Sequence, residues 1–134
     1  MPQAVKTSQA PTAIGPYSQG IITGNFVYTS GQIPLDPNNG RMAADIKQAT
    51  KRSLENIKAV LDEAGSGLDR IVKTTVYLKD MADFQAMNEV YATYFQEPFP
   101  ARSCVQVAKL PLDALVEIEA IAVTMDNGQW TMDN

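Results

Sequence analysis

The sequence predicts an α/β protein: a two-layer sandwich in which one mixed β-sheet carries two helices on the same face. Two observations support this. Apolar residues recur at helical spacing in two separate stretches, each on one side only. The remaining apolar stretches are short, rich in β-branched residues and bounded by glycine, proline and asparagine, giving the order βββ-α-β-α-ββ. Two one-sided helices cover only one face of a sheet. The other face is left open, which predicts self-association, most simply as a closed ring.

The first strand is expected around Ala4 to Thr7, and Pro11 to Pro16 is a loop ending at Gly15-Pro16. Tyr17–Ile22 and Phe26–Ser30 read as strands joined by a hairpin at Gly24-Asn25. Asp36-Pro37 and Asn39-Gly40 mark a turn-rich connection. A helix follows from Asp45 to Ala64, with Ile46, Ala49, Ser53, Leu54, Ile57, Val60, Leu61 and Ala64 as its apolar stripe and Gly65 as its stop. Ile71–Leu78 is a β-branched strand. Asp80 is placed to cap a second helix, which carries Phe84, Met87, Tyr91 and either Tyr94 or Phe95 on one face and stops before Pro98. Two strands close the domain, one from Pro100 and the other over Val116–Val123. Residues 1–124 are read as one domain and 125–134 as a C-terminal extension, in which Thr124-Met125-Asp126-Asn127 recurs as Thr131-Met132-Asp133-Asn134.

Composition narrows the chemistry. The chain has 134 residues, a net charge of −4, one cysteine and no histidine. Histidine-dependent nucleophile systems and histidine-ligated zinc are excluded, as is a thiolate zinc cluster within one chain. No cofactor or metal is predicted. The acidic balance argues against nucleic acid as a partner. No apolar run reaches spanning length, and Met-Pro-Gln-Ala-Val-Lys at the start contains no signal-peptide core. A soluble cytoplasmic protein is expected, and a lone cysteine suits a reducing compartment.

The last two strands contain the ionisable groups that need explaining. Alternation puts Arg102, Cys104 and Gln106 on one face of their strand. Glu117 and Glu119 share a face of theirs, while Val116, Ile118, Ala120 and Ala122 fill the other. Charges in such apolar strands are costly unless paired. Arg102 is either a structural partner of Glu117 or Glu119, or a fork for a carboxylate. Either glutamate can then act as a general base or position a water. Cys104 reads first as a small buried hydrophobe, since no histidine activates it. Gly15-Pro16-Tyr17-Ser18-Gln19-Gly20 and Thr29-Ser30-Gly31-Gln32 are either turn chemistry or places where a ligand approaches the backbone.

Up to about Thr124 the chain resembles the Rid family of reactive-intermediate deaminases, also called YjgF. The resemblance rests on Ala13-Ile14-Gly15-Pro16-Tyr17-Ser18-Gln19-Gly20, Thr29-Ser30-Gly31-Gln32-Ile33-Pro34 and Val72-Lys73-Thr74-Thr75-Val76. It also rests on Asn88, Pro100-Ala101-Arg102-Ser103-Cys104-Val105, Leu110-Pro111 and Val116-Glu117-Ile118-Glu119. It implies a chorismate-mutase-like fold, a homotrimer and clefts between subunits. It also implies hydrolysis of 2-imino acids, formed from enamines released by pyridoxal-phosphate-dependent enzymes, to 2-oxo acids and ammonia. By position Arg102 takes the carboxylate-binding role and Glu117 the water-activating role, while Tyr17, Ser30, Gly31, Asn88 and Cys104 match cleft residues. Gln96-Glu97-Pro98-Phe99 looks shorter than the corresponding connection in some members. The competing expectations are an endoribonuclease or translation inhibitor, a role also attached to this family, and a non-enzymatic module that senses a small carboxylate.

Overall fold

The computed structural model describes residues 1–124; the expected C-terminal extension and its short repeat lie outside the described residues. The strands are β1 (Gln3–Val5), β2 (Gly20–Thr23), β3 (Phe26–Thr29), β4 (Ile71–Leu78), β5 (Ala101–Gln106) and β6 (Val116–Val123), with helices α1 (Ile46–Glu63) and α2 (Phe84–Ala92). The strands form one sheet in the order β1-β2-β3-β6-β4-β5. β4 and β5 run parallel and the other neighbours antiparallel, so the sheet is mixed as expected.

The core lies between the sheet and the helices. Leu54, Ile57, Val60 and Leu61 of α1 and Met87 and Tyr91 of α2 pack on Val27, Val76, Leu78, Val116, Ile118, Ala120 and Ala122. Both helices therefore cover one face, as their stripes predict. α1 closes on Gly20 so tightly that a Cβ there would sit 2.9 Å from Val60 Cγ1. Phe26 and Tyr28 remain exposed on the opposite face.

Some boundaries differ from the sequence reading and others match it. β2 begins at Gly20, because Gln19 turns inward to bond the carbonyls of Thr7, Ala10 and Pro11, and its Oε1 accepts from Thr7 N at 2.7 Å. Asp45 caps α1 by accepting from Gln48 N, and Gly65 follows in the left-handed region at φ 77°. Asp80 caps a 3-10 turn over Met81–Asp83 rather than α2 itself, and α2 ends at Ala92, short of Pro98. Phe95 is buried although it lies beyond the helix, and Tyr94 donates to Glu55 Oε2 at 2.8 Å. Asn56, inside the α1 stripe, donates to the carbonyls of Ile33 and Leu35 and accepts from Arg52, pinning the connection after Ile33 to α1.

Candidate functional site

Arg102 sits on β5, the edge strand, in register with Thr74 of β4. Thr74 points into the layer under α2, where its Oγ1 and the Tyr91 hydroxyl are 2.7 Å apart. Arg102 lies on that same helix-covered face. Its Nη1 donates to Asn88 Oδ1 at 2.7 Å. Its Cζ lies 4.8 Å from the Tyr91 ring centroid and 5.5 Å from that of Phe84. Phe84, Asn88 and Tyr91 are spaced i, i+4 and i+7 on α2, so one helix face supplies all three contacts. Among the described residues no carboxylate forms a salt bridge with Arg102. The structural ion pair with Glu117 or Glu119 is therefore not formed within the chain.

The reason is geometric. Glu117 pairs in register with Tyr77, and Glu119 with Thr75, while Ile118 between them is in the core. Both glutamates project from the open face. Neither meets Arg102, which the chain presents on the other side of its own sheet. Tyr77 donates to Glu119 Oε2 at 3.3 Å, which ties the second glutamate across the strands. Partial burial pushes the Glu117 carboxyl above its ordinary range, and the negative charge of Glu119 adds to that shift.

Gly31 lies against Glu117. A Cβ at Gly31 would come within 2.8 Å of the Glu117 Cδ and 3.0 Å of its Cγ. The neighbouring Gln32 exchanges two backbone hydrogen bonds with Ile118, which brings the segment onto β6. Ser30 is anchored by its backbone N–H to Gln19 O at 2.9 Å and by its hydroxyl to Ser18 O. Tyr17 lies on the preceding loop, 53% exposed, and its hydroxyl accepts from Ile14 N at 3.4 Å. Together with Val5, Thr7, Thr12 and Ala13, it lines a cavity of about 410 Å³.

The seven predicted residues thus fall into two groups. Arg102, Asn88 and Cys104 belong to the β5–α2 edge; Gly31 and Glu117 meet on the open face, with Ser30 and Tyr17 in the loops leading to them. Cys104 is half-buried, and burial raises its thiol above the ordinary range despite the opposing pull of Arg102. That leaves it a poor thiolate at neutral pH. Sequence reasoning missed Phe84 and Tyr91 as the bed of Arg102, reading them as core. The signal available was an aromatic pair flanking Asn88 on one helix face. Among the described residues, no three histidine, cysteine or acidic side chains converge as a metal-binding group. No helix among them is long and apolar enough to cross a membrane.

Fold and site define a class of small α/β sandwich that displays an edge-strand arginine on one side of its sheet and a half-buried glutamate on the other. The family model described as Endoribonuclease L-PSP matches residues 7–124. A RutC family protein of Pyrococcus abyssi is 56% identical over 121 residues, covering 90% of this chain and 95% of the relative. A 2-iminobutanoate/2-iminopropanoate deaminase of Salmonella typhimurium is 52% identical over 126 residues, covering 92% and 98%. The crystal structure of Escherichia coli TdcF with bound serine superposes with a TM-score of 0.87 at 49% identity, covering 90% of this chain and 98% of that one. The chain belongs to the Rid family, also known as YjgF or L-PSP.

Proposed function

We propose that the protein is a deaminase that hydrolyses 2-imino acids to 2-oxo acids and ammonia, at sites completed between copies of the chain in a homotrimer. The observation that carries this reading is the pairing of an arginine fork that has no acidic partner among the described residues with a glutamate whose carboxyl is held above its usual range. Relatives named 2-iminobutanoate/2-iminopropanoate deaminase at 50–52% identity support it. Arg102 and Glu117 face opposite ways, so a site using both draws them from two chains. The open face, with Phe26 and Tyr28 exposed, is the surface for that assembly.

The chemistry needs little beyond these groups. Arg102 holds the substrate carboxylate through two parallel N–H bonds. The protonated imine carbon takes the oxygen of a water while Glu117 takes one of its protons. Glu117 passes that proton to the nitrogen of the tetrahedral adduct. The C–N bond then breaks, and ammonia leaves and takes up the hydroxyl proton, giving the 2-oxo acid and ammonium. A raised carboxyl pKa makes Glu117 a stronger base once ionised. Positioning carbon and water is the main contribution of the protein. Substrates of this kind come from enamines released by pyridoxal-phosphate-dependent enzymes.

The test is ammonia release from an imine generated in situ, with wild type, Arg102→Ala and Arg102→Lys side by side. Losing the charge-assisted fork costs about 1.5–3 kcal/mol, or roughly ten- to a hundredfold in kcat/KM. Lysine keeps the charge but not the fork, so Arg102→Lys should also be poor. Full specific activity in a destabilised Arg102→Lys protein would return Arg102 to a structural role.

A further inference from the structure

Two hydroxyls meet in the layer between the sheet and α2. Thr74 is 1% exposed and Tyr91 6%, and their oxygens are 2.7 Å apart. Packing alone does not call for them. Valine and phenylalanine would fill the same space with no polar group to desolvate, so the pair adds little net stability. What it adds is a fixed position. The Tyr91 ring is tied at its Cβ end to α2 and at its hydroxyl end to β4. Phe95 lies against it with centroids 4.7 Å apart at 41°, which limits how the ring turns.

The strand residue that holds the hydroxyl is the registered neighbour of Arg102. The ring so held carries the guanidinium at 4.8 Å. Asn88 fixes one edge of the guanidinium through Nη1. A planar group is oriented only when its edge and its tilt are both set, and the Tyr91 ring, with the guanidinium carbon over it, is placed to limit the tilt.

We propose that Tyr91 is a positioning residue: braced by Thr74, its ring limits the tilt of the Arg102 guanidinium so that the fork is presented to the carboxylate of a 2-imino acid. This rests on the reading of Arg102 as the carboxylate anchor. Tyr91 acts through Arg102 and itself touches no reacting atom.

The experiment compares wild type, Tyr91→Phe and the double variant Thr74→Val/Tyr91→Phe. Each is measured for melting temperature, for KM and kcat in imine hydrolysis, and for the Kd of pyruvate by calorimetry; pyruvate is a 2-oxo carboxylate that presents the same anchor without reacting. Tyr91→Phe should lower Tm, because the Thr74 hydroxyl is left without its partner, and should raise KM and the pyruvate Kd about three- to tenfold, with kcat within about twofold. In the double variant no hydroxyl is orphaned and Tm should recover, while KM and Kd stay raised. If KM and Kd return to wild-type values together with Tm, the pair is merely structural and the proposal is overturned. Unchanged KM and Kd in Tyr91→Phe overturn it as well. If wild type binds pyruvate but hydrolyses no imine, the deaminase reading fails while the Kd comparison still decides the brace. If wild type does neither, both fail.

Discussion

Replacing Gly31 by alanine should impair Glu117 without unfolding the chain. Gly31 is not among the glycines with left-handed backbone, so its φ does not bar alanine. The obstacle is the neighbour: the new methyl would stand 2.8 Å from Glu117 Cδ, where ordinary contact begins at 3.4 Å. Glu117 Oε2 would lie closer still, so the carboxyl must retreat by roughly 1 Å to reach ordinary contact. Misplacing a catalytic group by that distance lowers a rate by up to about a hundredfold. A loss of ten- to a hundredfold in kcat/KM corresponds to about 1.4–2.7 kcal/mol of transition-state stabilisation. The melting temperature should move only slightly, since a half-buried side chain can swing toward solvent. The assay is steady-state ammonia release, repeated with Gly31→Ala in a Glu117→Ala background. If Gly31→Ala acts through Glu117, it adds nothing once the carboxylate is gone. A full multiplicative loss in that background, or activity within twofold of wild type in the single variant, would refute the reasoning.

Cys104→Ser should keep most activity with the assembly intact, because burial holds the thiol above its ordinary range and leaves it poorly nucleophilic; steady-state kinetics alongside sedimentation checks this. Glu119→Gln should move the acid limb of the kcat/KM profile to lower pH, since the nearby negative charge is one of the two causes raising Glu117; an unmoved limb in a folded variant would contradict it. The same shift has a stability consequence. A carboxyl with a raised folded-state pKa binds protons more tightly in the native state, so its contribution to stability falls as pH rises from its ordinary 4.5 through the raised value. Glu117→Gln should therefore gain stability at neutral pH relative to wild type, with the gain vanishing at pH below 4.5, as denaturant titrations at the two pH values would reveal.

The element types and the parity of the last two strands were legible because burial acts residue by residue. Val116 to Val123 alternates in the structure as it does in the sequence, and the α1 stripe is the buried face. The relation between strands was not legible. Period-2 spacing says that Glu117 and Glu119 share a face, but not whether that face is the one Arg102 occupies. That depends on β6 inserting between β3 and β4 while β5 joins the edge in parallel, a choice made by long-range pairing. Gln19 and Asn56 were missed for a similar reason. Their partners are backbone carbonyls of loops up to 23 residues away, which no local pattern records. The shortened α2 reflects capping: Asp80 spends its side chain on a 3-10 turn, and the helix starts only at Phe84.

A sheet that shows Arg102 on one side and Glu117 on the other has a consequence for subunits that meet as strangers. An Arg102→Ala chain still carries a sound glutamate, and a Glu117→Ala chain a sound arginine. Mixed before assembly, two inactive proteins should regain a fraction of working sites wherever intact halves fall beside each other. On the proposed shared site a lone chain should be inert, so activity per chain should decline on dilution past the point where the assembly dissociates.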